Sequence, residues 1–270
     1  MTGTISRLGL AAALTAGAGG ALGAEDGENR IGGFVSAGVG LAPDYEGSES
    51  YDPIPLAAFR VNYAQYWVAL EGLTLQANLV PSDRFEAGPA FAYSFGRDED
   101  VEDSAVARLR EIDDSFELGD FAGVDFFEVL TPRDAVNPRV TVLHEESGET
   151  DGLTAEGSVS WSFPIGERVR TGLGASATFA DSDYMEAFFG IDADNAARSG
   201  LALYDADSGL KDVGLSVTGT YSITENWGVT AIAAYTRLVG DAADSPIVED
   251  AGSPNQFFGG FGLSYRFQRL

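Results

Sequence analysis

The sequence predicts an all-β protein, a single transmembrane antiparallel β-barrel of 12 strands with short periplasmic turns and long acidic extracellular loops. Three observations predict it. Long segments alternate apolar and small or polar residues with a period of two, the signature of strands whose faces meet different surroundings. These segments run about 10–13 residues, longer than the 5–6 usual in soluble sheets and suited to crossing a bilayer. Of 42 acidic residues, 27 fall in the connections 43–52, 97–115, 145–151, 180–209 and 239–255, with only Arg97, Arg108, Arg110 and Arg198 beside them.

The chain opens on "LGLAAALTAGAGGALGA" (8–24), preceded by Arg7 and ending in small residues. This reads as a secretory signal peptide, residues 1–23, cleaved near Gly23 or Ala24. A short segment, 24–30, follows, and 31–270 form the barrel. Cysteine is absent, which excludes a disulfide framework and anchoring through a lipidated cysteine. A net charge of −26 makes nucleic acid a poor partner.

Twelve strands are expected at 31–42, 53–62, 65–70, 73–80, 85–96, 116–127, 137–144, 152–164, 167–179, 210–222, 226–238 and 256–267. The first begins in the periplasm, so turns after even-numbered strands stay there and are short, while connections after odd-numbered strands face outward. A tight reversal at 71–73 joins the third and fourth. The faces blur in 53–62 and 116–130. They are clear in 152–164, where Val159, Trp161 and Phe163 oppose Ser158, Ser160 and Ser162. In 167–179 Val169, Leu173 and Phe179 oppose Arg168, Arg170 and Ser176, and in 210–222 Val213, Leu215 and Tyr221 oppose Asp212, Ser216 and Thr220. The last strand sets Phe257, Phe261, Leu263, Tyr265 and Phe267 against Gly260, Gly262, Ser264 and Arg266. Such a terminal strand, aromatic at its end, looks like the assembly signal of an outer-membrane barrel, here followed by "QRL".

The polar faces place a few charges in the lumen: Glu86, Glu156, Arg139, Arg168, Arg170 and Arg266. In a narrow barrel these are expected to pair across the lumen, and a selective constriction is the alternative. The acidic loops would repel anions at the outer mouth or bind divalent ions that bridge lipopolysaccharide. No loop has the ligand spacing of a calcium site. The one histidine, His144, precedes "EESGE" with Ser147 nearby, but alternation with Val140 and Val142 turns it to the lipid. No nucleophile motif surrounds Ser147, so no catalytic residues are expected.

The stretch "VGLAPDYEGSESYDPIPL" carries Pro43, Asp44, Tyr45, Gly47 and Ser48. Further on come Asp183, Tyr184, Phe189 and Gly190, then Ser199, Gly200, Tyr204, Gly209, Lys211 and Asp212. Trp227, Arg237, Leu238, Asp241, Ser245 and Pro246 complete the series. In this order the residues resemble the MipA/OmpV family of outer-membrane proteins, over nearly the whole chain after the leader. The resemblance implies an outer-membrane location and a non-enzymatic barrel without cofactor. It implies a scaffold linking a murein transglycosylase to a murein synthase, with a small solute or cation channel and a surface adhesin as alternatives. Lipid, lipopolysaccharide and the barrel-assembly machinery are the other partners expected. A scaffold needs a periplasmic surface, which short turns supply only if several act together.

Overall fold

A computed structural model describes residues 31–146 and 150–268. The expected signal peptide, segment 24–30 and Ser147 lie outside the described residues. The strands are β1 (Ile31–Pro43), β2 (Tyr51–Tyr63), β3 (Tyr66–Glu71), β4 (Thr74–Asn78), β5 (Phe85–Ser94), β6 (Ser115–Val124) and β7 (Phe126–Phe127). They continue with β8 (Ala135–Glu145), β9 (Leu153–Ile165), β10 (Val169–Ala180), β11 (Gly209–Ser222), β12 (Trp227–Leu238) and β13 (Asn255–Gln268).

Consecutive strands pair antiparallel except β6 and β7, which both pair with β8, and β1 pairs with β13. The sheet therefore closes on itself. The two-residue β7 prolongs β6 past a break at Asp125, so the wall has twelve strands, as expected from the sequence. Closure is what lets a sheet stand in hydrocarbon, because every unpaired peptide group there costs several kcal/mol. The register is continuous across the seam, from Gly32 opposite Gln268 to Leu41 opposite Gly259.

Alternation separates the two faces of the wall. Val35, Val39 and Leu41 of β1 and Phe257, Phe261 and Leu263 of β13 are exposed on the outside. Aromatic rings mark both rims of this apolar band. Tyr63, Tyr66, Phe85 and Trp227 stand at the short-turn end, and Tyr51, Phe116, Phe179 and Phe257 at the long-loop end. In β2, where the sequence left the faces unassigned, even residues point inward and odd ones outward.

Inside, the lumen is divided. Beneath β12, β13, β1 and β2 it is filled by an apolar cluster of Phe34, Ala42, Ala58, Ile232 and Phe258, with Ile54 and Leu56 packed on it. Leu56 lies flat against the glycines of β1 and β13: a Cβ added at Gly260 would stand 2.4 Å from Leu56 Cδ1 and 2.9 Å from Val39 O. Glycine here admits a large neighbour. The other half of the lumen is polar.

The long connections are where the sequence reading stopped short. They hold helices α1 (Ser182–Phe189), α2 (Ala193–Ser199), α3 (Gly240–Asp244) and α4 (Pro246–Glu249), and one 3-10 turn, Val106–Arg108. Asp181 and Asp192 cap α1 and α2 through their carboxylates, and Gly200 ends α2 in the left-handed conformation.

Replacing Gly260 by alanine is expected to cost about 1–3 kcal/mol by overpacking. Equilibrium urea unfolding in lipid vesicles measures this, and a Leu56→Ala change in the same chain should recover part of the loss.

Candidate functional site: the lumen and its outer cap

The polar half of the lumen holds an ion-pair layer. Arg139 of β8 donates through Nη2 to Glu86 Oε1 of β5 at 2.5 Å and through Nη1 to Gln76 Oε1 of β4 at 2.7 Å. Asn137 donates to Glu86 Oε1 at 2.9 Å and to Asp125 Oδ1 at 3.0 Å. The Arg60 guanidinium lies over the Trp67 ring at 4.1 Å, and Arg139 faces Phe121 at 5.0 Å. Buried charges persist only when paired and hydrogen-bonded, and this layer ties β4, β5, β8 and the break at Asp125 together through such pairs.

Above it lies a cavity of ≈ 290 Å³, lined by Glu46, Glu71, Glu86, Glu117, Asp125, Glu156 and Asp212 against Arg60, Arg139 and Lys211. Seven carboxylates face three bases, so the cavity favours cations.

Of the charges the sequence placed in the lumen, the structure brings Glu86 and Arg139 together and sets Glu156 in the cavity wall. Arg170 is half-buried, and its Nη1 is enclosed with no hydrogen-bond partner among the described residues. Arg168 lies elsewhere: it is exposed in the turn between β9 and β10 and donates to Tyr221 Oη at 3.4 Å. Arg266 is exposed near the periplasmic end of β13. The His144 ring is partly exposed, with Nδ1 3.6 Å from Glu146 Oε1.

The outer mouth is roofed by the long connections, which pack on one another rather than projecting into solvent. Lys211, the chain's only lysine, is buried at the outer end of β11. It pairs with Glu46 from the β1–β2 connection and with Asp212 Oδ2 at 3.2 Å. Tyr184 of α1 donates to Glu46 Oε2 at 2.9 Å and offers its ring to the Lys211 ammonium at 5.1 Å. Burial pushes the Tyr184 phenol well above its ordinary value, with the Glu46 charge adding to the rise.

Over this polar knot sits an apolar layer of Tyr184, Met185, Phe188, Phe189, Leu238, Ala242 and Val248. A second layer joins Tyr45, Val101, Val106, Leu109, Ile191 and Ile247. Ser245 Oγ donates to Phe189 O at 2.6 Å, Arg97 Nη1 to Phe188 O at 3.1 Å, and Tyr45 Oη to Ala251 O at 2.9 Å. Gly47 takes φ +99°, and its N–H donates to Gln256 Oε1 at 3.3 Å, while Gln256 Nε2 donates to Ser48 O at 3.0 Å. Pro43, Asp44, Tyr45, Gly47, Tyr184, Ser245 and Pro246 thus converge in this one roof, while Asp183 lies exposed in the first turn of α1.

Asp44 sits at the roof's edge, 4% exposed, with Oδ2 accepting from Glu102 N at 2.9 Å and Oδ1 without a partner among the described residues. Burial, with Asp52 and Asp98 close by, pushes its carboxyl up to about 6, although the Glu102 N–H pulls the other way.

Sequence reasoning missed Arg60, Gln76, Asn137, Glu46 and Lys211 as site residues. The solitary lysine inside an alternating strand was a usable signal. Arg60 lay in a segment whose faces could not be assigned, Asn137 is the first residue of its expected strand and shares the inward face of Arg139, and Glu46 enters the site only because its loop folds inward.

The family model for MltA-interacting protein MipA matches residues 35–267. Outer membrane protein OmpV of Vibrio cholerae serotype O1 is 32% identical over 93 residues, and outer membrane protein Omp26La of Vibrio anguillarum is 31% identical over 93. Each match covers 34% of this chain and 34% of the relative, so it spans about a third of the relatives' length. Among solved structures, the COG4313 outer membrane channel from Pseudomonas putida F1 aligns with a TM-score of 0.42 at 11% identity, covering 88% of this chain and 95% of that one. The outer membrane channel DcaP of Acinetobacter baumannii aligns with a TM-score of 0.40 at 9% identity, covering 88% and 96%.

Two predictions follow from the roof's geometry. Lys211→Ala leaves Glu46 buried without its cation, a change that costs about 3–5 kcal/mol. Protease cleavage within 181–208 should accelerate by about a hundredfold to a few thousandfold while the strands stay protected. Asp44 holds its proton more tightly in the folded roof than in a released loop, so its contribution is full below about pH 4 and declines as pH rises through about 6. Asp44→Asn should abolish that decline, read as loop cleavage by a broad-range protease normalised to denatured protein. With its closed twelve-strand wall and a family match over residues 35–267, the chain belongs to the MipA (MltA-interacting protein) family of outer-membrane β-barrels.

Proposed function

We propose that this chain is a non-enzymatic envelope scaffold that docks a murein transglycosylase, and through it a murein synthase, on the periplasmic rim of the barrel. One observation carries the reading. The turn between β7 and β8 is built around Asp134, which is 2% exposed. Its Oδ1 accepts from Val129 N at 2.7 Å, and its Oδ2 accepts from Leu130 N at 2.9 Å, Thr131 N at 2.8 Å and Trp161 Nε1 at 3.0 Å. Four donors hold the carboxyl below the usual range despite its burial.

The turn presents Val129 and Leu130 at the short-turn end of the wall, and Leu130 is 66% exposed. Phe126 and Phe127 adjoin them, and Asp125 N donates to Arg84 O at 2.7 Å, bringing in the turn that carries Leu79. Preformed exposed apolar surface of this kind marks interaction sites. The family's description as MltA-interacting agrees with a murein transglycosylase as the occupant.

A second reading rests on the acid-lined cavity: a cation channel that conducts when the roof lifts. It predicts cation-selective conductance in planar bilayers that grows in Lys211→Ala.

The scaffold reading is tested by a photo-crosslinking residue at position 130 in living cells. Capture of a lytic transglycosylase is expected, reduced at least tenfold by Asp134→Ala, which frees the turn while leaving the barrel folded. Crosslinks confined to assembly factors would contradict it.

A further inference from the structure

One part of the wall is unpaired. The β3–β4 hairpin climbs only from Tyr66 to Glu71 before turning at Gly72, whose φ is +62°. Its pairing with β2 covers Phe59 to Tyr63 and stops. On the other side it meets β5 from Gln76 opposite Ala90 to Thr74 opposite Ala92, with Tyr93 N donating to Leu73 O at 3.2 Å. Above that turn β2 continues from Ala58 to Tyr51 with β1 on one flank and, among the described residues, no strand paired on the other. Eight residues of tilted strand amount to about 18 Å of height, comparable to the outer half of the hydrocarbon layer.

The exposed edge is built for this. Pro53 and Pro55 both lie in the unpaired stretch, and proline within a sheet is confined to edges because it cannot donate to a ladder. An incoming strand would find two donors missing, so the edge resists augmentation by another chain. Ile54 and Leu56, the inward residues between and beside these prolines, belong to the apolar cluster inside the lumen. Across the notch, Leu73, Thr74, Ala92 and Ser94 line the lumen cavity. The opening therefore connects lipid-facing wall to apolar lumen filling and to the cavity, beneath a roof that closes the aqueous route from outside.

We propose that this notch is a lateral portal, and that the acyl chain of an outer-leaflet lipid enters it, lying along Ile54 and Leu56 and reaching the cavity above Glu71. The depth of the notch decides the occupant, because acyl chain is the solvent at that height. The inward apolar residues give the chain a surface, and the prolines exclude a strand.

The chain has no cysteine, so single-cysteine variants report cleanly. In lipid vesicles containing a maleimide carried on a lipid acyl chain, Leu56→Cys and Thr74→Cys should label at least tenfold faster than Ser158→Cys. Ser158 also faces the cavity, but its strand is paired on both flanks. Lipid-facing Val39→Cys sets the upper rate. Equal labelling of Thr74→Cys and Ser158→Cys would overturn the portal, and that comparison stands even where Leu56→Cys disturbs the packing against Gly260.

Discussion

Hydrocarbon offers no hydrogen bonds, and nearly every feature of this molecule answers to that constraint. A sheet can remain in the bilayer only if its ladder closes, and the β1–β13 and β6–β8 pairings achieve closure. Closure in turn fixes which residues face inward, since a one-residue slip would exchange the lumen and lipid faces of an entire strand. The Arg139–Glu86–Asn137 layer is then a consequence: charges trapped inside a narrow lumen must satisfy one another. The unpaired flank of β2 is the exception. Its two prolines reduce the number of donors left exposed there, which is why the notch is tolerable at all.

The roof follows from a second consequence of closure. Long connections at the outer mouth lie over a cavity rich in carboxylates, and solvated acidic loops would repel one another there. Instead one lysine draws Glu46 and Asp212 together, Tyr184 completes the knot, and the helices of the 180–209 and 239–255 connections bury their apolar faces over it. The acids left on top remain in water. The two ends of the barrel thereby differ in construction: packed long connections roof the outer end, and the short-turn end carries the ordered turn at Asp134.

Most of the wall was legible in the sequence because period-two alternation and turn position are local signals. Strands such as β9 and β10 fall within two residues of their expected limits, at Leu153–Ile165 and Val169–Ala180. β2 was legible as a strand but not by face, because Pro53, Pro55 and Ala57 carry no strong polarity contrast with Ile54, Leu56 and Ala58. The roof was illegible for a different reason. Helices α1 to α4 are 4–8 residues long, too short for a clear 3.6 period, and they are stabilised by contacts between segments far apart in the chain. The family-like residues pointed to these loops without revealing that Tyr45, Tyr184 and Ser245 are all buried in one roof. Arg168 shows the limit of alternation at strand ends, where a turn residue continues the pattern but leaves the lumen.

Hydrogen–deuterium exchange of the folded barrel in lipid vesicles tests the central claim, that the acidic outer loops are a folded roof and not a solvated fringe. Amides of α1 and of residues 246–249 should exchange as slowly as those of the neighbouring strands β11 and β12. Exchange of those amides at the rate of an unstructured peptide, with the strands still protected, would contradict it.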